Sequence, residues 1–543
     1  MGRKVFKQRS LALALAAAIA FSLPALLQGC LNEQAPETEP EAPVSPPAEE
    51  VIESSGVVAS TKRGLFTLRY DPDSTVNPIT GMNSDNILLS SLLYESLFSL
   101  DGGLNAEPVL CESWDSEDNI SYTFILKPEI AFSDGSSLTS NDVVYSITQA
   151  SQRGRFVNRL GVIDKITAED DLTVTIRLKS PNRRFIRLLD IPIIKAGSID
   201  GRIPPGTGPY MFAGADILRL VRFNGHRDYE KLPVPSVVLI VCEDDEAAEL
   251  FEGGLLSLIW DDPADSHDIR LNRVHEKRYY DTTALQFIGF NTRSAVLSES
   301  DVRRAIGCAI DREFIVDEIM QGHAHPAQFA LSLPYDLYSD QWGREGSDPQ
   351  IEMAGLLSRA GLEDYDDDSY LEYPDGAGGY ARFSLDFIVN SENQYKLRTA
   401  HLIAGALRQT GINVSVRELP WDSFISALET RNFDMYYGEV VLSADFDLSA
   451  LLLPGGSLNF GRTGSSEFKP LIDAFLGAES DAWEREAAYE LCKAVLFEAP
   501  FLPILYKKYV VYTPMGAISG AAPSQSGVFR MINDWTIDAT MLA

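Results

Sequence analysis

The residues of this chain best suited to chemistry are its carboxylates, and their arrangement supplies acidity without a catalytic pattern. Asp and Glu number 78 against 46 Lys and Arg, with only six histidines. No G-x-S-x-G elbow, H-E-x-x-H, G-x-x-x-x-G-K-[ST] or G-x-G-x-x-G occurs, so hydrolytic, zinc-dependent and nucleotide chemistry all lack their usual residues. An extracellular hydrolase is the disfavoured enzyme alternative, and no catalytic residue is assigned. Asp364, Asp366, Asp368 and Glu372 are spaced somewhat like a calcium loop, but Ser369 stands where such a loop wants glycine, so no metal is expected. His323 and His325 flank a single alanine, a spacing that an exposed strand produces without any ion. Cys111, Cys242, Cys308 and Cys492 are far apart and form no C-x-x-C; they read as small apolar core residues, with two disulfides as the alternative. No cofactor is expected.

Cys30 has a different setting. Arg3, Lys4, Lys7 and Arg9 precede an apolar run from Leu11 to Leu27, and Leu27-Gln28-Gly29-Cys30 resembles a bacterial lipobox. This layout predicts a lipoprotein signal peptide over 1–29 that is removed, leaving a lipidated Cys30 as the new N-terminus. Residues 30–56, rich in Pro, Glu, Ala and Ser, cannot bury enough apolar surface to offset their ordering entropy and read as a disordered acidic tether. The expected location is the extracytoplasmic face of the cell membrane. The formal charge is −32, and loss of the four leader cations makes the mature chain more acidic still, which argues against nucleic acid as a partner.

The remaining ~510 residues exceed what one hydrophobic core organises, so two or three lobes are expected. Apolar residues alternate over Ile120–Leu126 and Leu172–Leu178, as in an antiparallel sheet with one buried face. Thr139 and Asp142 make a capping-box start for a helix whose apolar face is Val143, Val144 and Ile147. Gly206-Thr-Gly208-Pro209-Tyr210 forces a turn and permits a close approach by other atoms. Ser298 and Asp301 mark one helix start, Asp311 another, and Gly322 an end. Phe383 to Val389 alternates, Leu397 to Leu407 repeats at helical spacing, Gly411 offers a left-handed cap, and Ile412 to Val416 alternates again. That is a βαβ unit with parallel strands.

Several segments in this order resemble family 5 of the bacterial extracellular solute-binding proteins. Leu93-Tyr-Glu-Ser-Leu97 is similar to the family's "LYEGL", Cys111-Glu-Ser-Trp114 to "AESW", and Thr139 to Ser146 to "TAxDVVYS". Gly206 to Tyr210 matches "GTGPY", Phe290-Asn291 the return into the second lobe, and Val302 to Arg312 the segment "VRxAxxxAIDR". The resemblance implies an α/β fold, a bilobal periplasmic-binding-protein-like clamp (type II, cluster C-like) with an extra domain inserted in lobe I. The implied divisions are 57–93, 209–287 and 507–543 for lobe I, 94–208 for the insert, and 288–506 for the other lobe.

The function implied is capture of a peptide or other small polar solute for an ABC permease and its ATPase, by a monomer tethered through lipid. A nickel chelate, an oligosaccharide or a sensory role on the same clamp are the alternatives. In peptide-binding members an "ADY" aspartate meets the ligand's α-ammonium, and Ala444-Asp445-Phe446 resembles that segment, making Asp445 the leading anchor. By position the other wall candidates are Met82, Asn83, Ser84, Trp421, Arg431, Tyr436 and Tyr437. Arg183-Arg184 reads as a solvated basic turn, with an anionic ligand end as its other use.

Overall fold

Alternating apolar residues build the first half of the chain into antiparallel sheets. A computed structural model describes residues 64–214, 217–265, 269–331, 348–463 and 465–542; the leader, Cys30 and the tether lie outside them. The first elements are β1 (Thr67–Arg69) and α1 (Ser84–Leu93), followed by β2 (Cys111–Asp115), β3 (Ser121–Leu126), α2 (Ser140–Gln152), β4 (Ile163–Ala168) and β5 (Thr173–Leu178). The sheet runs β2-β3-β5-β4, antiparallel throughout. Tyr122, Phe124 and Leu126 are buried with Val174, Ile176 and Leu178, while the intervening residues of β3 are exposed. The Asp142 carboxylate accepts from the Thr139 backbone N–H at 2.9 Å, fixing the start of α2 as the capping box predicts.

The chain then returns to its starting body. β6 (Tyr210–Phe212), β7 (Arg219–Arg222) and β8 (Ser236–Ile240) form a second sheet of order β1-β8-β7-β6, in which β1 and β8 are parallel. The turn before β6 allows a close approach, and what approaches is the chain itself. The Gly208 N–H donates to Leu93 O at 2.9 Å, and a Cβ on Gly206 would lie 2.2 Å from the same oxygen. The "GTGPY" and "LYESL" segments are therefore two sides of one contact, between the end of α1 and the turn before β6.

The second half is α/β. Its elements are β9 (Ile259–Asp261), β10 (His275–Phe290), α3 (Ser300–Cys308), the hairpin β11 (Glu372–Pro374) and β12 (Tyr380–Arg382), β13 (Ser384–Asn390), α4 (Gln394–Gln409), β14 (Asn413–Leu419), α5 (Trp421–Thr430), β15 (Met435–Val441), α6 (Phe468–Leu476), α7 (Asp481–Glu498) and β16 (Phe501–Pro514). β13 and β14 pair in parallel across α4, and Gly411 closes that helix at φ +85°. The expected helix after Ser298 starts instead at Ser300 with Glu299 before it, because the Ser298 hydroxyl donates back to Ala295 O and ends a preceding turn. After Asp311 a short α-turn widens into a π-turn at Ile315–Ile319, where Met320 N–H reaches Ile315 O at 2.9 Å.

The main sheet has the order β9-β16-β10-β15-β13-β14, and its two long strands make the molecule bilobal. β10 and β16 run antiparallel from one lobe to the other; β9 pairs with the far end of β16, while β15 pairs with the last seven residues of β10. Between Asp281 and Leu285 the register shifts, so the ladder is broken midway along the crossing. The architecture is an α/β clamp with two crossing strands. The four described cysteines are free thiols, Cys111 and Cys492 buried, Cys242 and Cys308 half-buried. Among the described residues no helix is long and apolar enough to cross a membrane.

Candidate ligand-binding site

The loop after β15 is pinned to the crossing where the ladder breaks. Leu442 N–H donates to Thr283 O at 3.0 Å, and the Thr283 hydroxyl donates to Leu442 O at 2.6 Å. Three residues on, Asp445 is 1 % exposed. Its Oδ2 accepts from Asn182 Nδ2 at 2.8 Å, and its Oδ1 from the Ser443 hydroxyl and from Asp447 N–H at 3.3 Å. All three donors are neutral, and among the described residues no ion pair reaches this carboxylate. Asp447 beside it is pushed up by burial and then by the charge of Asp445.

Asn182 follows β5, so its bond to Asp445 ties the β2–β5 sheet to the loop after β15. The residue is itself held on every side: its carbonyl accepts from Tyr122 OH at 2.7 Å, its Oδ1 from Arg184 N–H at 3.0 Å, and its N–H donates to Asn119 O at 2.8 Å. Arg183 N–H donates to Leu476 O at 2.7 Å, and Arg184 Nε donates to Glu484 Oε1 at 2.6 Å. Arg184 is 2 % exposed, which corrects the reading of a solvated basic turn. Glu484 in the first turn of α7 supplies the counter-charge, and the guanidinium lies 5.6 Å from the ring centroid of Phe475.

A second polar group lies along the crossing strands. Lys507 on β16 pairs with Asp262 and, at 3.2 Å, with Glu439 on β15; Lys396 in the first turn of α4 reaches the other Glu439 oxygen at 3.0 Å. Gln286 Nε2 donates to Glu439 at 2.9 Å and its Oε1 accepts from Tyr437 OH at 2.8 Å. Burial would raise Glu439, but the two lysines hold it well below the usual carboxylate range. For Asp262 burial wins over Lys507, and its carboxyl is pushed up to about 6. Asn393 Nδ2 donates to Ala264 O at 3.1 Å, so the 262–265 segment and α4 meet on this flank as Asn182 and Asp445 meet on the other.

The remaining sequence candidates are placed as follows. Ala444 and Phe446 turn their side chains into the core beneath α6 and α7. Tyr436 is buried edge-on to Phe287 and Phe433, whereas Tyr437 faces the ionic group from the opposite side of β15. Asn83 caps α1, accepting from Asn86 N–H and donating to Asp71, each at 3.0 Å; Met82 and Ser84 flank it, Met82 exposed. Trp421 opens α5 stacked on Phe424, and Arg431 ends it at φ +57° with its Nε on Phe460 O at 2.8 Å. The structure thus joins Asp445 to Asn182 and Tyr437 to the ionic group through Gln286, and holds the others in local roles. Asn182, Lys507, Glu439 and Asp262 were not anticipated. A lysine pair inside the apolar strand Phe501–Pro514 was the available signal for Lys507, and the neighbouring arginines for Asn182.

The fold has known counterparts. The model of the bacterial extracellular solute-binding proteins, family 5, matches residues 105–459. Heme-binding protein A of Haemophilus influenzae is 24 % identical over 458 residues, 75 % of this chain and 80 % of that protein. Among solved structures, the ABC transporter substrate binding protein CtaP of Listeria monocytogenes superposes with a TM-score of 0.71 at 19 % identity, covering 87 % of this chain and 99 % of that one. The oligopeptide-binding protein AppA of Bacillus subtilis, in complex with a nonapeptide, gives 0.63 at 18 % identity, covering 87 % and 98 %. These structures share the clamp fold. With most of its length matched by the family model, this chain belongs to the bacterial extracellular solute-binding proteins, family 5.

Proposed function

We propose that this chain is the lipid-anchored solute-binding component of an ABC importer, capturing a di- or oligopeptide between its lobes and delivering it to membrane permease subunits. The observation that carries this reading is Asp445, a buried carboxylate at the lobe seam whose three donors are all neutral. A charge removed from water costs several kcal/mol unless a cation or a full set of donors compensates it, and a peptide α-ammonium is a compact cation of that kind. In this reading the ammonium takes the place of Asn182 when the clamp opens and refills.

Ligand contacts made with both lobes only in the closed shape shift the open–closed equilibrium by their differential affinity. A permease that reads the closed shape then samples mainly loaded carrier. An acyl chain on Cys30 keeps the carrier beside the permease and raises its effective concentration there. The nonapeptide held by the Bacillus subtilis relative supports peptides as the cargo class. Mass spectrometry of material that co-purifies with the mature protein tests the proposal. A mixture of short peptides is the expected result; a single sugar or metal chelate would reject it.

A further inference from the structure

The acidic loop before β11 has the groups of a cation site. One carboxylate oxygen from each of Asp364, Asp366, Asp368 and Glu372 lies within 4.8 Å of the others. Three of these residues are exposed, but Glu372 is 5 % exposed. Its Oε2 accepts from Tyr365 N–H at 2.9 Å, whereas its Oε1 is buried with no hydrogen-bond partner. An orphaned buried carboxylate oxygen costs free energy unless something electropositive meets it, and three further carboxylates each bring an oxygen within 4.8 Å of the Glu372 carboxylate.

The sequence objection to a calcium loop was Ser369 in the place of glycine. Ser369 adopts the conformation that glycine would supply, at φ +73°, with Asp367 also left-handed at φ +61°. Counted from Asp364, the carboxylates occupy positions 1, 3, 5 and 9 and Tyr370 occupies position 7, the places from which a calcium loop draws side-chain and carbonyl oxygens. Asp364 already accepts from Asp368 N–H at 3.1 Å and Ser369 N–H at 2.9 Å, and Arg382 of β12 pairs with Asp368. The loop is anchored to the second lobe, since Leu371 N–H donates to Gly411 O at 2.8 Å and Phe383 N–H to Leu371 O at 2.7 Å.

We infer that Asp364, Asp366, Asp368 and Glu372 form a calcium site that fastens the β11–β12 hairpin to the second lobe. The donor set is all oxygen with no imidazole or thiolate, which selects a hard cation. A loop of flexible carboxylates suits Ca²⁺ better than the strict octahedron of Mg²⁺. Leu371 and Tyr373 beside the site pack in a different apolar cluster from Ala444 and Phe446 beside Asp445, and the site does not depend on the cargo assigned to the clamp.

The mature protein is stripped with a chelator, exchanged into metal-free buffer and titrated with Ca²⁺ by calorimetry, with melting followed in parallel. The expected result is one Ca²⁺ per chain, with a dissociation constant of about 10⁻³ M or tighter, and a melting temperature that rises as the site fills. Mg²⁺ gives a smaller rise. Asp366→Asn, at an exposed position where folding is not at stake, lowers the affinity at least about tenfold, and Glu372→Gln abolishes the rise. Absence of binding heat at about 5 mM Ca²⁺, or an unchanged isotherm in Asp366→Asn, overturns the assignment.

Discussion

Asn182 Nδ2 donates to Asp445 Oδ2 at 2.8 Å, across a seam between the segment after β5 and the loop after β15. The bond gives a buried carboxylate a neutral partner in the clamp as it stands, and it must break if a ligand cation is to reach that oxygen. Replacing Asn182 by Ala removes the donor and costs about 1–3 kcal/mol. The checks are a lower melting temperature and, by small-angle scattering, a larger radius of gyration for the ligand-free protein. An unchanged melting temperature and radius would mean that the contact does not hold the seam.

Lys507 is the shared cation of Asp262 and Glu439, and its removal leaves two acids buried around an apolar side chain. Lys507→Met is expected to cost about 3–5 kcal/mol, as breaking one side of a buried ion pair does. Adding Glu439→Gln and Asp262→Asn to that variant should recover part of the loss. Urea unfolding measures both, and a Lys507→Met protein as stable as its parent would contradict the account.

The raised carboxyl of Asp262 gives stability a pH signature. Its folded value is about 6 against an ordinary 3.8, so the folded state binds its proton more tightly than the unfolded chain. The contribution is fully present below about pH 3.8, falls as pH rises, and is gone once pH passes about 6. Glu439, held low, acts in the opposite sense: its contribution is present above its unfolded value and is lost as pH falls through the folded one. Comparing the parent with Asp262→Asn isolates the first slope. The difference in unfolding free energy between them should change between pH 4 and 6 and stay flat above.

Two glycines separate packing from conformational freedom. Gly206→Ala would place a Cβ 2.2 Å from Leu93 O and 2.5 Å from the Tyr94 ring, so the turn between insert and first lobe must shift. Destabilisation of about 1–3 kcal/mol or more is expected. In α4, Gly405 has no atom within 4 Å of its would-be Cβ, and Gly405→Ala should stabilise by about 0.5–1 kcal/mol. Thermal melts of the two variants should move in opposite directions.

Local periodicity carried the elements and the ordered motifs carried the fold, because both are set by residues that structure the chain. Arg303 of the "VRRAI" segment donates to Ala499 O and Leu297 O from a buried position, and Arg312 of "AIDR" donates to Ala327 O and Pro503 O. Such residues fasten one element to another and recur in sequence as fixed spacings. The seam was less legible. Asn182 lies 263 residues from Asp445, and Lys507 meets Asp262 and Glu439 only after β9, β15 and β16 have joined one sheet. Only the neighbouring Arg183 and Arg184 mark Asn182 in the sequence. Ser369 shows the converse limit, since a serine in a turn gives no sign that its backbone will take the left-handed form.

The central claim is that Asp445 receives a cationic end of the cargo between closing lobes. Titration calorimetry with a peptide pool of the co-purifying length, free or acetylated at its N-termini, tests it on the parent and on Asp445→Asn. The account predicts that acetylation weakens binding to the parent at least about tenfold, and that Asp445→Asn binds both forms with similar, weakened affinity. Equal affinity of the parent for free and acetylated peptides would contradict it.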